Sequence, residues 1–284
     1  MWGHFSSLWT IQERSLLLND INMYLRGGSV TCLLGTGEGM SNLLELIALR
    51  PIKGYMSGCI QHDSLLRPIN VYRDIAYIPI GQDSVYFDGL SVFDYLYYGA
   101  RLRLHHSVDN TSNSNSNASN TWFGSTNELE CRERTREVLK ILSGYLDGGL
   151  KLHRLRKGEL RLLSIAMELL DSPTLLVLEN PLLGLEYAEA LDVARCLKKV
   201  SRLPSQATTV IYTADGVNDE ILRCVDDIKI FTGMRLSFSI SLFEYATTMP
   251  SYMSSANSTN TSEATMHSIN SINARVNKLY RLIT

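Results

Sequence analysis

The chain lacks several features that would assign it to a class at once. It has 284 residues and a formal net charge of −2, so it offers no support for nucleic-acid binding, which usually needs a basic face. Its five cysteines include no CxxC pair, which argues against a zinc site or a disulfide framework. No apolar run approaches the roughly 20 residues of a membrane span, and the N-terminus lacks a basic-then-apolar signal pattern. These absences favour a cytosolic globular domain with reduced thiols.

A glycine cluster is the first positive signal along the chain. Residues 29–34 read as a short apolar strand, residues 35–39 carry three glycines, and residues 41–49 have helical character. Strand, glycine loop and helix is the order of a phosphate-binding unit, in which backbone N–H groups and a helix N-terminus face the phosphate oxygens. Taken alone, three glycines before a helix are weak evidence for such a unit.

Strands alternate with helices over most of the chain. The pattern predicts strands at 75–80, 175–178 and 208–213, helices at 91–104, 128–143 and 185–200, and a hairpin formed by 227–231 and 235–240. Residues 16–25 alternate weakly and end in a turn signal at 26–28. This order predicts an α/β domain with a largely parallel core sheet.

Two stretches differ in composition from the rest. Residues 105–127 contain an Asn/Ser-rich run that cannot bury enough apolar surface to fold, which predicts a disordered surface insertion. Residues 251–284 begin with a second Ser/Asn/Thr-rich stretch and are predicted to be a linker-like tail, with a short helix at 269–283.

The most informative stretch covers residues 155–186, LRKGELRLLSIAMELLDSPTLLVLENPLLGLE. A glycine-containing turn leads into a helix, a Ser-Pro break follows, and a four-residue apolar run ends in Glu179-Asn180. A buried strand that ends in a carboxylate beside a proline suits a site that holds a metal and a phosphate.

This stretch resembles the signature and Walker B segments of ABC-transporter ATPases, most closely the G subfamily of white and sterolin half-transporters. That family reads roughly LSGGERRRVSIAVELL, then LLFLDEPTSGLD. Three further segments follow in the family's order. The phosphate loop of the family, GPSGSGKSTLL, resembles LLGTGEGMSNLL here, with one residue missing or with its first glycine displaced. The Q-loop region resembles IAYIPIGQDSVYFDGLSVFDYLYYGARLRL. The switch region resembles TTVIYTADGVNDEIL. The resemblance covers about residues 8–245.

The resemblance implies a P-loop NTPase-type fold, with a mostly parallel core sheet, a helical signature subdomain and an edge antiparallel β-subdomain. It places the nucleotide-binding domain at residues 1–250. It also implies a weak site for ATP and Mg²⁺, in which Ser41, Gln82 and Glu179 bind the metal ion. The implied nucleotide-binding positions are Gly35, Thr36, Gly37, Glu38, Gly39, Met40, Ser41, Asn42, Gln82, Gly158 and Glu179.

Three chemical positions differ from the family pattern. Met40 stands at the lysine that reaches the outer phosphates, Asn180 at the catalytic glutamate, and Asp215 at the switch histidine. An amide cannot accept a proton from an attacking water, and a carboxylate near the outermost phosphate repels it. The three replaced residues would position the phosphates, activate the attacking water and stabilise the developing charge. Their joint loss argues against ATP hydrolysis by this site. Glu38 adds a further negative charge.

The signature serine and first glycine are also replaced, by Arg156 and Lys157. Two readings are open for this pair: the two cations attract phosphate, or they form an ordinary solvated basic turn. For the phosphate loop, the alternatives are a weak nucleotide site that relies on backbone donors and a partner, and a retained fold with no nucleotide.

The leading hypothesis is therefore the ATP-binding domain of a lipid or sterol exporter, the poorly hydrolysing member of a pair. Its predicted partner is another half-transporter or that protein's nucleotide-binding domain, with the membrane domain supplied in trans or lost. The predicted location is the cytoplasmic face of a membrane, by association. The alternatives are a non-catalytic interaction module that has lost the nucleotide, and a truncated relic.

Overall fold

The computed structural model of the chain describes residues 16–35, 38–51, 54–62, 71–81, 89–104, 128–204, 207–232 and 235–241. In chain order its elements are β1 (Val30–Gly35), α1 (Glu38–Ile47), α2 (Val71–Asp74), β2 (Ile75–Ile78), α3 (Val92–Arg103), α4 (Glu128–Ile141), α5 (Lys157–Leu169), β3 (Leu175–Leu178), α6 (Tyr187–Ser201), β4 (Thr209–Ala214), α7 (Asp219–Leu222), β5 (Asp227–Thr232) and β6 (Arg235–Ser241).

The six strands form one sheet in the order β2-β3-β4-β1-β5-β6. The first five run parallel, and β6 pairs antiparallel with β5. The prediction of an α/β domain with a largely parallel sheet is therefore confirmed. Strand β1 lies inside the sheet between β4 and β5, so its last residue, Gly35, lies between two parallel strands.

Both faces of the sheet are covered by apolar side chains, as a parallel sheet requires. Side chains alternate along β1, where Cys32 and Leu34 face the larger core formed with α3, α4, α5 and α6. Leu33 faces the opposite side, a second core that α1 closes with Leu43, Leu44 and Ile47. The alternation places α1 and the signature helix α5 on opposite faces of the sheet.

Local capping fixes the start of α3. The backbone N–H of Asp94 donates to the Ser91 hydroxyl at 3.1 Å, and the Asp94 carboxylate accepts from the Ser91 backbone N–H at 3.3 Å. This reciprocal capping box satisfies two backbone donors that the helix leaves unpaired. The predicted helix start at this serine is confirmed.

Several predicted boundaries differ from the structure. Helix α1 begins at Glu38, three residues before the predicted start. Gly158, predicted to lie in a turn before the signature helix, is the second residue of α5. Residues 16–26 form no strand. Among the described strands, β5 and β6 are the one antiparallel pair, on the edge of the main sheet, and an isolated antiparallel bridge joins Ser91 to Lys151. The predicted insertion at 105–127 and tail at 251–284 lie outside the described residues.

Candidate nucleotide site

Polar residues follow three neighbouring parallel strands at the edge where these strands end. β3 is followed by Glu179 and Asn180, and β4 by Asp215. β1 ends at Gly35, and α1 begins three residues later. Because the strands are parallel, their carboxyl ends meet at one edge of the sheet, which is where α/β proteins bind ligands. We call this edge the carboxyl edge.

Glu179 is the central acceptor of the carboxyl edge. Its carboxylate accepts a hydrogen bond from the Ser41 hydroxyl of α1. It also accepts from the Tyr77 hydroxyl of β2 at 3.3 Å and from the backbone N–H of Ile80 at 3.2 Å. One side chain therefore joins the helix that follows the glycine loop to two strands. The structure thus brings together Ser41 and Glu179, two of the three residues predicted to face the metal.

Tyr77 is a member of the site that the sequence analysis missed. Burial, together with the negative charges of Glu179 and Glu45, raises the pKa of Tyr77 above its usual value. A tyrosine is protonated at neutral pH even without this shift, and the phenol donates to Glu179. The Arg50 guanidinium lies 5.5 Å from the centre of its ring. A tyrosine in a buried strand has no sequence signal for this role until the pairing of β2 with β3 is known.

Asn180 and Asp215, which stand at the catalytic positions of the resemblance, contact each other. The Asn180 amide Nδ2 donates to the Asp215 carboxylate at 3.2 Å, and its backbone N–H donates to the Thr213 hydroxyl at 2.9 Å. Asn180 has a φ of 47°, a left-handed conformation that asparagine tolerates better than most residues. These contacts join the residues that follow β3 to the end of β4 in one polar corner.

Close packing requires two glycines of the loop, Gly35 and Gly39. A Cβ on Gly35 would lie 2.2 Å from the Phe231 carbonyl oxygen, and a Cβ on Gly39 would lie 2.8 Å from the Leu17 carbonyl oxygen. Both positions therefore exclude a side chain whether or not phosphate is bound. Thr36 and Gly37 lie outside the described residues.

Met40 lies in the apolar core. Only 5% of its surface is exposed, and it belongs to the cluster of buried residues that includes Leu33, Leu44 and Phe231. This position bears an apolar side chain where a phosphate loop presents an ammonium group. Asn42 is the next residue but one along α1, and Glu38 is the first residue of that helix. Gln82, the third predicted metal-facing residue, lies outside the described residues.

The signature segment is capped by its own side chains. The backbone N–H of Arg156 donates to Glu159 Oε2 at 2.8 Å, and the Arg156 guanidinium donates to Glu159 Oε1 at 3.2 Å. A Cβ on Gly158 would lie 2.8 Å from Glu189 Cβ of α6, so this glycine is explained by helix packing. The carboxylate of Glu159 thus lies where the N-terminus of α5 attracts negative charge.

Two features are absent from the described residues, a metal-binding cluster and a membrane-spanning helix. These residues contain no group of three or more His, Cys, Asp or Glu side chains arranged to hold a metal ion. None of the described helices combines the length and the apolar character that crossing a membrane requires.

Comparison with known proteins identifies related sequences, although no family model matches the chain. It is 28% identical over 223 residues to the broad substrate specificity ATP-binding cassette transporter ABCG2 of Sus scrofa, covering 78% of this chain and 31% of the relative. It is 29% identical over 240 residues to ABC transporter G family member 6 of Arabidopsis thaliana, covering 84% of this chain and 30% of the relative. The chain thus matches about a third of the length of these curated relatives.

Solved structures show the same fold. The structure of cbiO1 from Clostridium perfringens, part of the ABC transporter complex cbiONQ, has a TM-score of 0.62 and 21% identity, covering 94% of this chain and 91% of that chain. The dimeric bacterial ABC transporter cassette MJ0796 has a TM-score of 0.54 and 16% identity, covering 80% and 90%. The chain therefore has the fold of an ABC transporter cassette, and its homologues are transporters of the ABC G family.

Proposed function

We propose that the chain is the ATP-binding cassette of an ABC-type exporter, and that it binds Mg-ATP weakly and hydrolyses it poorly. The hydrogen bond between Ser41 and Glu179 carries the proposal. It places a hydroxyl and a carboxylate together beside the N-terminus of α1, directly after a strand and a glycine loop. Phosphate-binding units use these groups in this order.

The residues present fit a magnesium nucleotide in part. Hydroxyl and carboxylate oxygens are the ligands that Mg²⁺ prefers, and it usually binds proteins through one or two carboxylates and substrate phosphates. Ser41 and Glu179 would hold the ion, and the N-terminus of α1 with Gly39 would face the phosphates. The ion would supply positive charge to the phosphate oxygens.

Poor hydrolysis follows from the corner formed by Asn180 and Asp215. An amide does not accept a proton from water at neutral pH, and the Asn180 Nδ2 group already donates to Asp215. Met40 contributes no charge to the phosphates because its thioether is neutral, and its side chain packs in the apolar core. Binding is therefore retained by backbone donors, Ser41 and Glu179, while the groups that promote transfer are missing.

A pair of cassettes completes the proposal. The MJ0796 cassette is dimeric in its solved structure, and we infer a similar pairing of this chain with the cassette of a complete half-transporter. Lipids or sterols are the proposed cargo, on the resemblance to the sterolin half-transporters. The proposed cassette spans residues 1–250, a linker-like tail follows at 251–284, and the pair lies at the cytoplasmic face of a membrane.

A second candidate is a non-catalytic interaction module that keeps the fold without the nucleotide. The burial of Met40 favours it, because the position of the phosphate-binding lysine carries a neutral side chain that packs in the apolar core. Nucleotide binding separates the two candidates.

The test is equilibrium binding of Mg-ATP to the purified chain, with Ser41→Ala and Ser201→Ala variants. We expect binding in the micromolar-to-millimolar range, weakened about tenfold by Ser41→Ala because one metal-facing oxygen is lost. Ser201→Ala removes a hydroxyl that donates to the Lys198 carbonyl oxygen, in the last turn of α6, and should leave binding unchanged. A folded chain that does not bind Mg-ATP would overturn the proposal and leave the interaction module.

A further inference from the structure

Asp215 places a negative charge at the outer end of the candidate site. It is exposed at the end of β4, and the amide of Asn180 holds its carboxylate at 3.2 Å. Asn180 directly follows Glu179, which contacts Ser41. The corner therefore begins one residue beyond the oxygen pair that would hold the metal.

The number of phosphates decides how strongly this charge acts. In a phosphate loop, backbone N–H groups cradle the inner phosphates, and the hydroxyl residue of the first helical turns binds the ion shared with the outermost phosphate. In such units the loop and the helix N-terminus hold the phosphates of a diphosphate. A triphosphate would add a phosphate beyond the ion. Asn180 and Asp215 are the polar residues in contact directly after Glu179 at this edge, so the added phosphate would meet their side chains.

Repulsion between the Asp215 carboxylate and an added phosphate is not offset by the groups described at Met40 and around Glu179. The position of the phosphate-binding lysine carries Met40, which is buried in the apolar core. The hydrogen-bond partners of Glu179 are a serine hydroxyl, a tyrosine hydroxyl and a backbone N–H, all of them neutral. An added phosphate therefore gains no direct ion pair with these groups and meets one more carboxylate.

We infer that this site binds a nucleoside diphosphate more tightly than the corresponding triphosphate, and that Asp215 sets the preference. The inference rests on the proposed nucleotide binding and specifies the ligand class of that same site.

The experiment compares equilibrium binding of ADP and ATP, each with Mg²⁺, to the full chain and to Asp215→Asn. For the unchanged chain we expect ADP to bind roughly tenfold more tightly, as one like-charge contact in partly solvated surroundings predicts. Asp215→Asn removes the negative charge and keeps the size of the side chain, so the difference between the ADP and ATP affinities should largely disappear. Because Asp215 is exposed, the variant should fold, which its melting temperature checks.

Glu137→Gln is the matched control. This exposed carboxylate pairs with Arg134 and lines a groove with Asp74 and Ser172, which precede β2 and β3 at the opposite edge of the sheet. Its removal changes the net charge by the same amount and should leave the ADP-to-ATP ratio unchanged.

Each outcome has one meaning. ATP bound as tightly as ADP, or more tightly, overturns the inference and leaves the proposed function in place. A preference for ADP that persists in Asp215→Asn, or that Glu137→Gln also removes, overturns the role of Asp215. A folded chain that binds neither nucleotide overturns the proposed function and this inference with it.

Discussion

At the amino ends of the strands, acidic side chains contact cations, whereas at the carboxyl edge they contact neutral donors. Asp226, just before β5, accepts from Lys198 at 2.6 Å and from the backbone N–H of Val30 at 2.9 Å. At the carboxyl edge, Glu179 accepts from two hydroxyls and a backbone N–H. The two edges of one sheet thus use carboxylates in different ways.

A second network near the amino ends also pairs acidic side chains with a cation. Arg103, the last residue of α3, contacts Glu168 at 2.7 Å and Asp171 at 3.0 Å. Arg134 donates to the Leu169 carbonyl oxygen at the end of α5 at 2.6 Å. These contacts join helices to one another and need no ligand to explain them. At the carboxyl edge, Glu179 and Asp215 contact neutral donors, and this difference makes that edge the candidate for ligand binding.

The largest expected effect comes from the backbone on either side of β1. At the carboxyl end of the strand, Gly35→Ala would place a Cβ 2.2 Å from the Phe231 carbonyl oxygen, so β1 and β5 would have to separate. We expect a loss of about 3 kcal/mol or more in the free energy of unfolding, measured by urea denaturation with circular dichroism.

Gly27→Ala is the control at the amino end of the same strand. A Cβ there meets no atom within 4 Å, so the change in unfolding free energy should stay within about 0.5 kcal/mol. Equal effects of the two substitutions would contradict the view that the carboxyl edge depends on close backbone packing.

A smaller effect is expected at the amino-end network. Arg103→Met leaves Glu168 and Asp171 close together without their shared cation, which we expect to cost about 2 kcal/mol of unfolding free energy. Adding Glu168→Gln should restore part of the loss because it removes one of the two like charges. Denaturant titration of the single and double variants checks both expectations.

Arg195→Met serves as the comparison for that substitution. Its side chain is 53% exposed and lies 3.9 Å from Asp192, an arrangement that contributes little in water. If Arg103→Met were as harmless as this variant, the amino-end network would not be the structural support that its geometry indicates.

The sequence predicted the elements well and the contacts of the site only in part. Periodicity located the strands and most helices, and the resemblance paired Ser41 with Glu179 before any coordinates. The role of Tyr77 was missed because it depends on β2 lying beside β3, an order that hydrophobic patterns do not encode. The burial of Met40 and the packing of Gly158 against Glu189 were missed for the same reason, since each depends on a neighbouring element distant in the chain.

The smallest effect tests whether the carboxyl edge is held together without a ligand. The hydrogen bond from Ser41 to Glu179 joins α1 to the end of β3. In a double-mutant cycle of Ser41→Ala and Glu179→Gln, we expect a coupling of about 1 kcal/mol in the free energy of unfolding, measured without nucleotide.

Ser41→Ala combined with Glu159→Gln gives the reference cycle, because Glu159 caps α5 on the other face of the sheet and has no contact with Ser41. That coupling should be close to zero. A zero coupling in the first cycle as well would mean that the hydroxyl and the carboxylate do not stabilise the edge by themselves. The contrast between the two edges would then become sharper, because the amino end would hold itself together while the carboxyl edge would require its ligand.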